Sequence, residues 1–286
     1  MTTPWITPPL PGKTHILVPA HEHGVLHEGL LSRCHSHSRL ELHGYRMAIT
    51  PPNKSPRRSE KQQSSQTEGA HKQDKRRKET SQQDREQAAQ AGKRKAIALD
   101  CEMVGIGASG NRDALAFLSA VDFITGEVLI NNYVQPPERV KQWRSRVSGV
   151  TAAGMAAAVA ARRALFGWES ARQALWEFAD DNTVLIGHTL NNDLRVLRII
   201  HFKVVDSAIL TGDLAFNPEP DARLRRIWGL KTLAKALLNR DIQTGRYGHN
   251  CLEDTFATRD VVIWCLKYPT QAAAWAENAK KDSTYA

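Results

Sequence analysis

The chain has 286 residues, of which 41% are hydrophobic, and its 39 Lys and Arg against 30 Asp and Glu give a formal net charge of +9. This composition supports a folded core, and no apolar run approaches the roughly 18 residues that a membrane-spanning helix needs. The four cysteines lack the paired spacing of a disulfide framework or zinc site, and the first residues lack the pattern of a secretory signal, so we expect a reduced, intracellular protein.

The positive charge is concentrated in the first third of the chain. Residues 1–95 contain 17 Lys and Arg against 9 Asp and Glu, a net charge of +8, whereas residues 96–286 are nearly neutral. Residues 51–95 contain no aromatic side chain and almost no apolar one except alanine, so they cannot bury enough surface to offset their ordering entropy. We therefore predict that residues 1–94 form a largely disordered, basic region.

Within this basic region, two features each allow two interpretations. The clusters Lys75–Lys78 and Lys93–Lys95 fit nuclear-import signals or phosphate-contacting patches, and a merely solubilising linker fits them equally well. The segment Cys34–His43, CHSHSRLELH, is similar to half of a zinc finger, but a second cysteine at the required spacing is missing. We interpret this segment as part of a mobile tail.

From Lys95 onwards the pattern becomes that of an α/β domain. Strands are predicted at 95–104, 113–123, 127–136, 183–189 and 203–210. Helices are predicted in the alanine-rich part after Thr151 and at 191–201, 230–238 and 252–268. Three hairpin-connected strands followed by strand–helix alternation predict a mixed five-stranded sheet flanked by helices. We place this domain at residues 95–270 and a C-terminal tail at residues 271–286.

The first predicted strand ends in two acidic residues, Asp100 and Glu102. Positions i and i+2 of a strand share a face, where two carboxylates repel each other and are costly to desolvate unless a cation lies between them. In the alternative, which this segment favours equally, the strand ends at Leu99 and both acids lie in a solvated turn.

Three further residues are candidates for the same site as this pair. Asp193 is predicted in the first turn of a helix, where the helix dipole favours a carboxylate. Asp254 begins the last predicted helix, and His249 precedes it by five residues. Taken singly, the aspartates fit ordinary helix-start acids and His249 fits an ordinary loop residue. We interpret His188 and Asp206 as structural.

Together, these residues lie in three motifs that occur in a characteristic order: LDCEMVG, IGHTLNNDLRVL and HNCLED. On these motifs, the chain from about Lys95 to Tyr268 resembles the DEDDh branch of the DnaQ-like 3′→5′ exonucleases. The segments DCEMVG, RSRVSGVT and LKTLAKALLNRDIQ further resemble the eukaryotic RNA exonuclease subgroup, which includes ribosomal-RNA-processing and interferon-induced exonucleases.

The resemblance implies an RNase H-like fold and a metal-dependent 3′→5′ exoribonuclease. It gives catalytic roles to five residues: Asp100, Glu102, Asp193, His249 and Asp254. The four carboxylates would bind two Mg²⁺ or Mn²⁺ ions, which prefer oxygen ligands, and His249 would accept a proton from the attacking water. By the same resemblance, Met103 packs against the terminal base and Arg146 contacts the nucleic-acid backbone.

The substrate implied by the resemblance is RNA, specifically a ribosomal RNA precursor processed in the nucleus or nucleolus, and we expect no membrane association. Single-stranded DNA is an alternative substrate for the same chemistry. A non-catalytic nucleic-acid-binding module is the other alternative, although metal-binding acids retained without a metal would only destabilise the domain. If the predicted domain boundary is right, a chain that begins near Gly92 should fold and cut short oligonucleotides.

Overall fold

The structure is a computed structural model that describes residues 15–47, 92–216, 219, 222–224, 226–245 and 248–283. In these parts of the chain the backbone forms a mixed sheet of seven strands, flanked by helices. The predicted fold class is therefore confirmed.

The strands are β1 (Ala96–Ile106), β2 (Arg112–Asp122), β3 (Val128–Gln135), β4 (Val140–Gln142), β5 (Ala164–Phe166), β6 (Val184–Gly187) and β7 (Val204–Asp206). Their order across the sheet is β5-β3-β2-β1-β6-β7, and β4 pairs with the last residues of β1. β1, β2 and β3 are antiparallel neighbours, whereas β5 is parallel to β3, and β6 is parallel to both β1 and β7. The long central strand β1 is mostly buried, which explains its almost continuous apolar sequence.

A short 3₁₀ turn at Ala20–Glu22 precedes the first helix. The α-helices are α1 (His23–Leu31), α2 (His37–Leu42), α3 (Ser145–Ser148), α4 (Ala152–Ala160), α5 (Gly167–Phe178), α6 (Asn191–Leu197), α7 (Ser207–Phe216), α8 (Leu230–Leu238), α9 (Cys251–Lys267) and α10 (Pro269–Ser283). None of the helices in the described ranges is both long and apolar enough to cross a membrane.

Two apolar cores lie on opposite faces of the sheet. Alternation along β1 places Ala96 and Ala98 in the core that α9 covers, and Ile97, Leu99 and Cys101 in the core that α5 and α6 cover. Cys101 is buried and packs in the second core. The same alternation directs the acidic positions of β1 toward α9.

Strand β1 extends well beyond its neighbour β6. The two strands pair only along Ala96–Ala98, and β4 joins the same edge at Gly105 and Ile106. Between these pairings, a stretch of β1 has no strand beside it on that edge within the described chain. This open stretch contains both acidic residues of the strand.

The sheet has two strands more than the five that the sequence predicts. Strands β4 and β5 contain three residues each, too short to show a periodic pattern. The predicted fifth strand at 203–210 is also shorter, because β7 ends at Asp206 and α7 begins at Ser207. Asp206 accepts the backbone N–H of Ala208, which stabilises the start of this helix.

Residues 15–47, here called the amino-terminal segment, pack onto the domain, so the predicted boundary of a largely disordered region at residue 94 does not hold for them. Leu26 and Leu30 lie in the core under α9, and Leu40 and Tyr45 lie in the other core. The two helices of this segment, α1 and α2, contain only nine and six residues. Such short helices show little periodicity, and they are stabilised by burial against the rest of the domain.

The C-terminal boundary and one basic cluster also differ from prediction. Residues 271–283 continue α10 rather than forming a separate tail, and Ala272 and Ala276 of this helix are buried. Lys93 donates to the carbonyl oxygen of Trp176 and Arg94 pairs with Glu127, so these basic residues contact the domain. The predicted disorder at residues 51–91 and the cluster Lys75–Lys78 lie outside the described residues.

Candidate active site

The two acids of β1 lie where this strand has run past β6. Asp100 is partly buried and Glu102 is buried. The pairing register with β2 shifts between Glu102 and Met103, and such a bulge bends a strand and redirects its side chains. The alternative of a solvated turn after Leu99 is wrong, because β1 continues to Ile106.

Asp193 reaches β1 from α6, the helix that follows β6. Its Oδ1 accepts a hydrogen bond of 2.8 Å from the backbone N–H of Cys101. Because β6 ends at Gly187, before it reaches this part of β1, the carboxylate takes the place of a strand partner. The open edge of β1 thus holds Asp193 in a buried position next to the two acids.

Asp254 lies in the first turn of α9 and is buried. The side chain of Asn250 caps this helix, with Oδ1 accepting the backbone N–H groups of Leu252 and Glu253 at 3.1 and 3.2 Å. The cap fixes where α9 begins and therefore where Asp254 meets β1. A carboxylate in this turn also interacts favourably with the helix dipole.

His249 lies in the loop before α9 and rests against the short helix α3. Its backbone N–H donates to the carbonyl oxygen of Val147 at 2.8 Å. The preceding Gly248 has a φ of +90°, and a Cβ atom there would lie 2.3 Å from the carbonyl oxygen of Ser145. Only glycine permits this approach. Helix α3 lies within the RSRVSGVT segment, so this segment holds the backbone of His249 in place.

The side chains from these elements converge on Glu102. In two groups of possible metal ligands, the ligand atoms all lie within 4.8 Å of one another: Asp100, Glu102 and Cys251 in the first, and Glu102, His249 and Asp254 in the second. The Nδ1 atom of His249 is 3.5 Å from Oδ2 of Asp254. Four of the five predicted site residues therefore meet, and Asp193 lies at their side, bound to β1.

Burial raises the pKa of every carboxyl group in this cluster, and repulsion from neighbouring acids adds to the effect on Glu102, Asp100 and Asp193. Burial, followed by the charges of Asp100, Asp254 and Asp193, raises the pKa of Glu102 to about 9. Burial and the charge of Asp254 raise the pKa of Asp100 to about 7. Burial raises the pKa of Asp254 to about 6, although His249 and a hydrogen-bonded glutamine oppose the shift. Burial and Asp100 raise the pKa of Asp193 well above its usual range. The cluster therefore favours added positive charge.

The sequence analysis missed two residues of the site, Gln243 and Cys251. The Nε2 atom of Gln243 donates to both carboxylate oxygens of Asp254 at 3.1 and 3.2 Å. The thiol of Cys251 donates to the carbonyl oxygen of Asp100 at 3.1 Å. Burial raises the pKa of this thiol well above its usual range, which suits a donor. Their only sequence signals are their places at the end of LKTLAKALLNRDIQ and inside HNCLED.

The two predicted substrate-binding residues flank the cluster. Met103 follows Glu102 on β1 and packs against the core under α5 and α6, while Arg146 is exposed on α3. Nearby, Arg144 and Arg195 share the carboxylate of Asp113, at 2.7 and 3.1 Å. Two guanidinium groups on one carboxylate leave an excess of positive charge next to α3 and α6.

Comparison with curated proteins reveals several relatives, although no protein-family model matches the chain. The chain is 33% identical over 196 residues to interferon-stimulated 20 kDa exonuclease-like 2 of Bos taurus, covering 66% of this chain and 50% of that protein. It is 39% identical over 166 residues to RNA exonuclease 4 of Candida glabrata, covering 57% of each. The chain spans about half the length of the curated relatives it matches.

Solved structures share the fold. The pseudoubiquitin-hydrolase–RNase module of Saccharomyces cerevisiae PAN2 superposes with a TM-score of 0.56 at 18% identity, covering 85% of this chain and 36% of that one. The catalytic unit of Neurospora crassa Pan2 gives 0.51 at 22% identity, covering 64% and 29%.

The chain belongs to the DEDDh exonuclease family. The assignment of the family's four acids and histidine to Asp100, Glu102, Asp193, Asp254 and His249 stays a prediction from the three sequence motifs. DEDDh nucleases are metal-dependent, and the acid cluster on β1 and α9 has a ligand set consistent with that dependence.

Proposed function

We propose that this chain is a metal-dependent 3′→5′ exoribonuclease that hydrolyses phosphodiester bonds. The observation that carries the proposal is the convergence of Asp100, Glu102 and Asp254 beside His249 in a chain of the DEDDh family. These residues come from the first and third sequence motifs, which lie about 150 residues apart in the chain, and the fold brings them together. A cluster of acids next to one imidazole supplies both the groups that bind cations and a group that accepts a proton.

The donor set fits hard divalent cations. Carboxylate oxygens from Asp100, Glu102, Asp193 and Asp254 suit Mg²⁺ or Mn²⁺, and we propose that these residues hold two ions. Burial and neighbouring negative charges raise the pKa values of Asp100 and Glu102, so a bound cation would stabilise their ionised forms. When bound, the ions would stabilise the negative charge on the attacking and leaving oxygens of an in-line displacement.

In the proposed mechanism, His249 takes a proton from the attacking water. Its Nδ1 atom faces Oδ2 of Asp254 at 3.5 Å, which leaves Nε2 as the proton acceptor. The His249 side chain is 37% exposed, so water can reach it. Asp254 stabilises the imidazolium that forms, and the two hydrogen bonds from Gln243 hold Asp254 in place.

For the substrate we propose RNA, and specifically ribosomal RNA precursors in the nucleus or nucleolus. The support is the name of the Candida glabrata relative, RNA exonuclease 4, together with the sequence resemblance of DCEMVG and RSRVSGVT to RNA exonucleases. The net charge of +8 in residues 1–95 would strengthen binding to long RNA through release of counterions.

The reaction is tested with 5′-labelled RNA and DNA of the same sequence, each incubated with Mg²⁺ or with EDTA. A ladder that shortens from the 3′ end of the RNA, requires Mg²⁺ and is lost in Asp254→Asn is the expected result. The exposed Glu177→Gln change is the matched control and should leave the ladder intact. A ladder on DNA alone would identify a DNA exonuclease, and RNA binding without cleavage would identify a non-catalytic module.

The natural substrate requires a cellular test. Depletion of the protein should cause 3′-extended ribosomal RNA precursors to accumulate, and expression of the wild type, but not of Asp254→Asn, should remove them. A tagged protein should accumulate in the nucleus and lose this accumulation when the Lys75–Lys78 cluster is changed to glutamine. Normal precursors after depletion, or a tagged protein outside the nucleus, would contradict these assignments.

A further inference from the structure

The amino-terminal segment covers the outer edge of the sheet, which strand β7 forms. β7 is the last strand in the sheet order, and the backbone N–H of His35 donates to the carbonyl oxygen of Val204 at 3.0 Å. The Nε2 atom of His35 accepts the backbone N–H of Asp206 at 3.0 Å. Folded proteins commonly cover such edges to prevent pairing with other chains. Here the same cover brings Tyr45 against the end of β7.

The buried carboxylate of Asp206 joins three parts of the chain. Its Oδ1 accepts the backbone N–H groups of Thr189 and Ala208, each at 2.9 Å. Its Oδ2 accepts the backbone N–H of Leu190 at 3.0 Å and the O–H of Tyr45 at 2.6 Å. These four hydrogen bonds connect the turn after β6 and the start of α7 to the amino-terminal segment.

The turn that Asp206 holds has an unfavourable backbone conformation. Thr189 has a φ of +54°, in the left-handed region that β-branched residues rarely adopt. Such a conformation persists only when the surrounding structure holds it. The turn leads directly into α6, whose first turn contains Asp193. The position of Asp193 relative to the N–H of Cys101 therefore depends on this turn.

We propose that Tyr45 and Asp206 are positioning residues for Asp193. Asp206 fixes the turn from which α6 starts, and Tyr45 fixes the carboxylate of Asp206 from the amino-terminal segment. Two residues outside the DEDDh motifs, one of them in the distant amino-terminal segment, thereby set the geometry of one metal-binding acid. The consequence for catalysis rests on the proposed function, since it requires Asp193 to bind a metal ion.

The test compares Tyr45→Phe with Leu30→Ala in the full chain. Tyr45→Phe removes one O–H group and leaves the aromatic ring in its core. Leu30→Ala truncates a fully buried side chain of the same segment, but in the opposite core. For each protein, three measurements are made: the dissociation constant for Mn²⁺ without RNA, kcat and KM on labelled RNA, and the melting temperature in EDTA.

Tyr45→Phe should weaken Mn²⁺ binding and lower kcat by about tenfold each, because residues that orient metal ligands have effects of this size. The KM for RNA should stay near its wild-type value. Leu30→Ala should lower the melting temperature more than Tyr45→Phe does, yet leave the Mn²⁺ dissociation constant within about twofold of wild type, since distant sites act independently. Asp206→Asn should weaken Mn²⁺ binding at least as much as Tyr45→Phe.

Wild-type Mn²⁺ affinity and kcat in Tyr45→Phe would overturn the inference. It would also be overturned if Leu30→Ala weakened Mn²⁺ binding as much as Tyr45→Phe, since the effect would then be general destabilisation. Failure of the proposed function has a different signature, a wild-type protein that binds Mn²⁺ and cuts no RNA. In that case the Mn²⁺ dissociation constants still decide whether Tyr45 positions Asp193.

Discussion

Replacing Glu102 by glutamine is expected to stabilise the metal-free protein at neutral pH. Burial and the neighbouring acids raise the pKa of Glu102 from its ordinary value of 4.5 to about 9. At pH 7 the folded protein therefore holds a proton that the unfolded chain releases, at a cost of about 1.4 kcal/mol for each pH unit above the unfolded pKa. The total cost is on the order of 3 kcal/mol, which an uncharged glutamine of similar shape avoids.

The direction of the pH dependence follows from the raised pKa. Below the unfolded pKa, both folded and unfolded wild type hold the proton, so the two proteins should have similar free energies of unfolding. As the pH rises toward about 9, the wild type progressively loses stability relative to Glu102→Gln, because the unfolded chain binds fewer protons than the folded one. The advantage of the variant should therefore grow between pH 5 and pH 8.5.

Divalent cations should reduce the stability advantage of the variant. Wild type in Mn²⁺ at a hundred times its dissociation constant gains about 2.7 kcal/mol, and the variant gains less because it has lost a ligand. The assay is thermal unfolding of both proteins in EDTA and in Mn²⁺ at several pH values. In EDTA at pH 7, an advantage of this size corresponds to roughly 6–12 °C for a domain of about 200 residues.

Glu177→Gln, at an exposed position, is the control and should shift the melting temperature little at any pH. A Glu102→Gln protein that is less stable than wild type in EDTA would refute the reasoning. An advantage that did not change with pH would refute it equally, since the stabilisation would then come from packing and not from the charge of Glu102.

Asp100→Asn, Asp193→Asn and Asp254→Asn should each abolish most Mg²⁺-dependent RNA cleavage while keeping a cooperative thermal transition; near-normal turnover at saturating Mg²⁺ would remove that residue from the site. His249→Ala should lower kcat about 10²–10⁴-fold with nearly unchanged Mn²⁺ binding, because a general base contributes a factor of this size; a large loss of Mn²⁺ affinity would make His249 a ligand instead. Gln243→Ala removes both hydrogen bonds to Asp254 and should lower kcat by about tenfold without changing the far-ultraviolet circular dichroism spectrum; unchanged kcat would show that Asp254 needs no such support. A chain that begins at Gly92 lacks the buried Leu26, Leu30 and Leu40 and should fail to show a cooperative thermal transition, whereas a chain that begins at His15 should show one. Similar melting temperatures for the two chains would show that the amino-terminal segment adds no stability.

The amino-acid sequence by itself determined the central strands and the motif residues. The alternating and continuous apolar patterns of β1, β2 and β3 are local signals, and each of these strands is long enough to show them. The placement of Asp100 and Glu102 on one face of a strand was one of two alternatives that this segment allowed, and the continuation of β1 to Ile106 decided between them. The grouping of these acids with Asp193, His249 and Asp254 came from motif order.

Features that depend on contacts between distant residues were decided by the tertiary structure alone. The hydrogen bond from Cys101 to Asp193 exists because β6 ends early, and the bonds from Gln243 to Asp254 join a loop to a helix. Neither hydrogen bond produces a periodic pattern in the sequence. The burial of Leu30 and Leu40 likewise depends on surfaces that other elements supply. Helices of six and nine residues are marginal alone, so their folding is decided by the area they bury against the sheet and α9, which no local pattern of residues 15–47 contains.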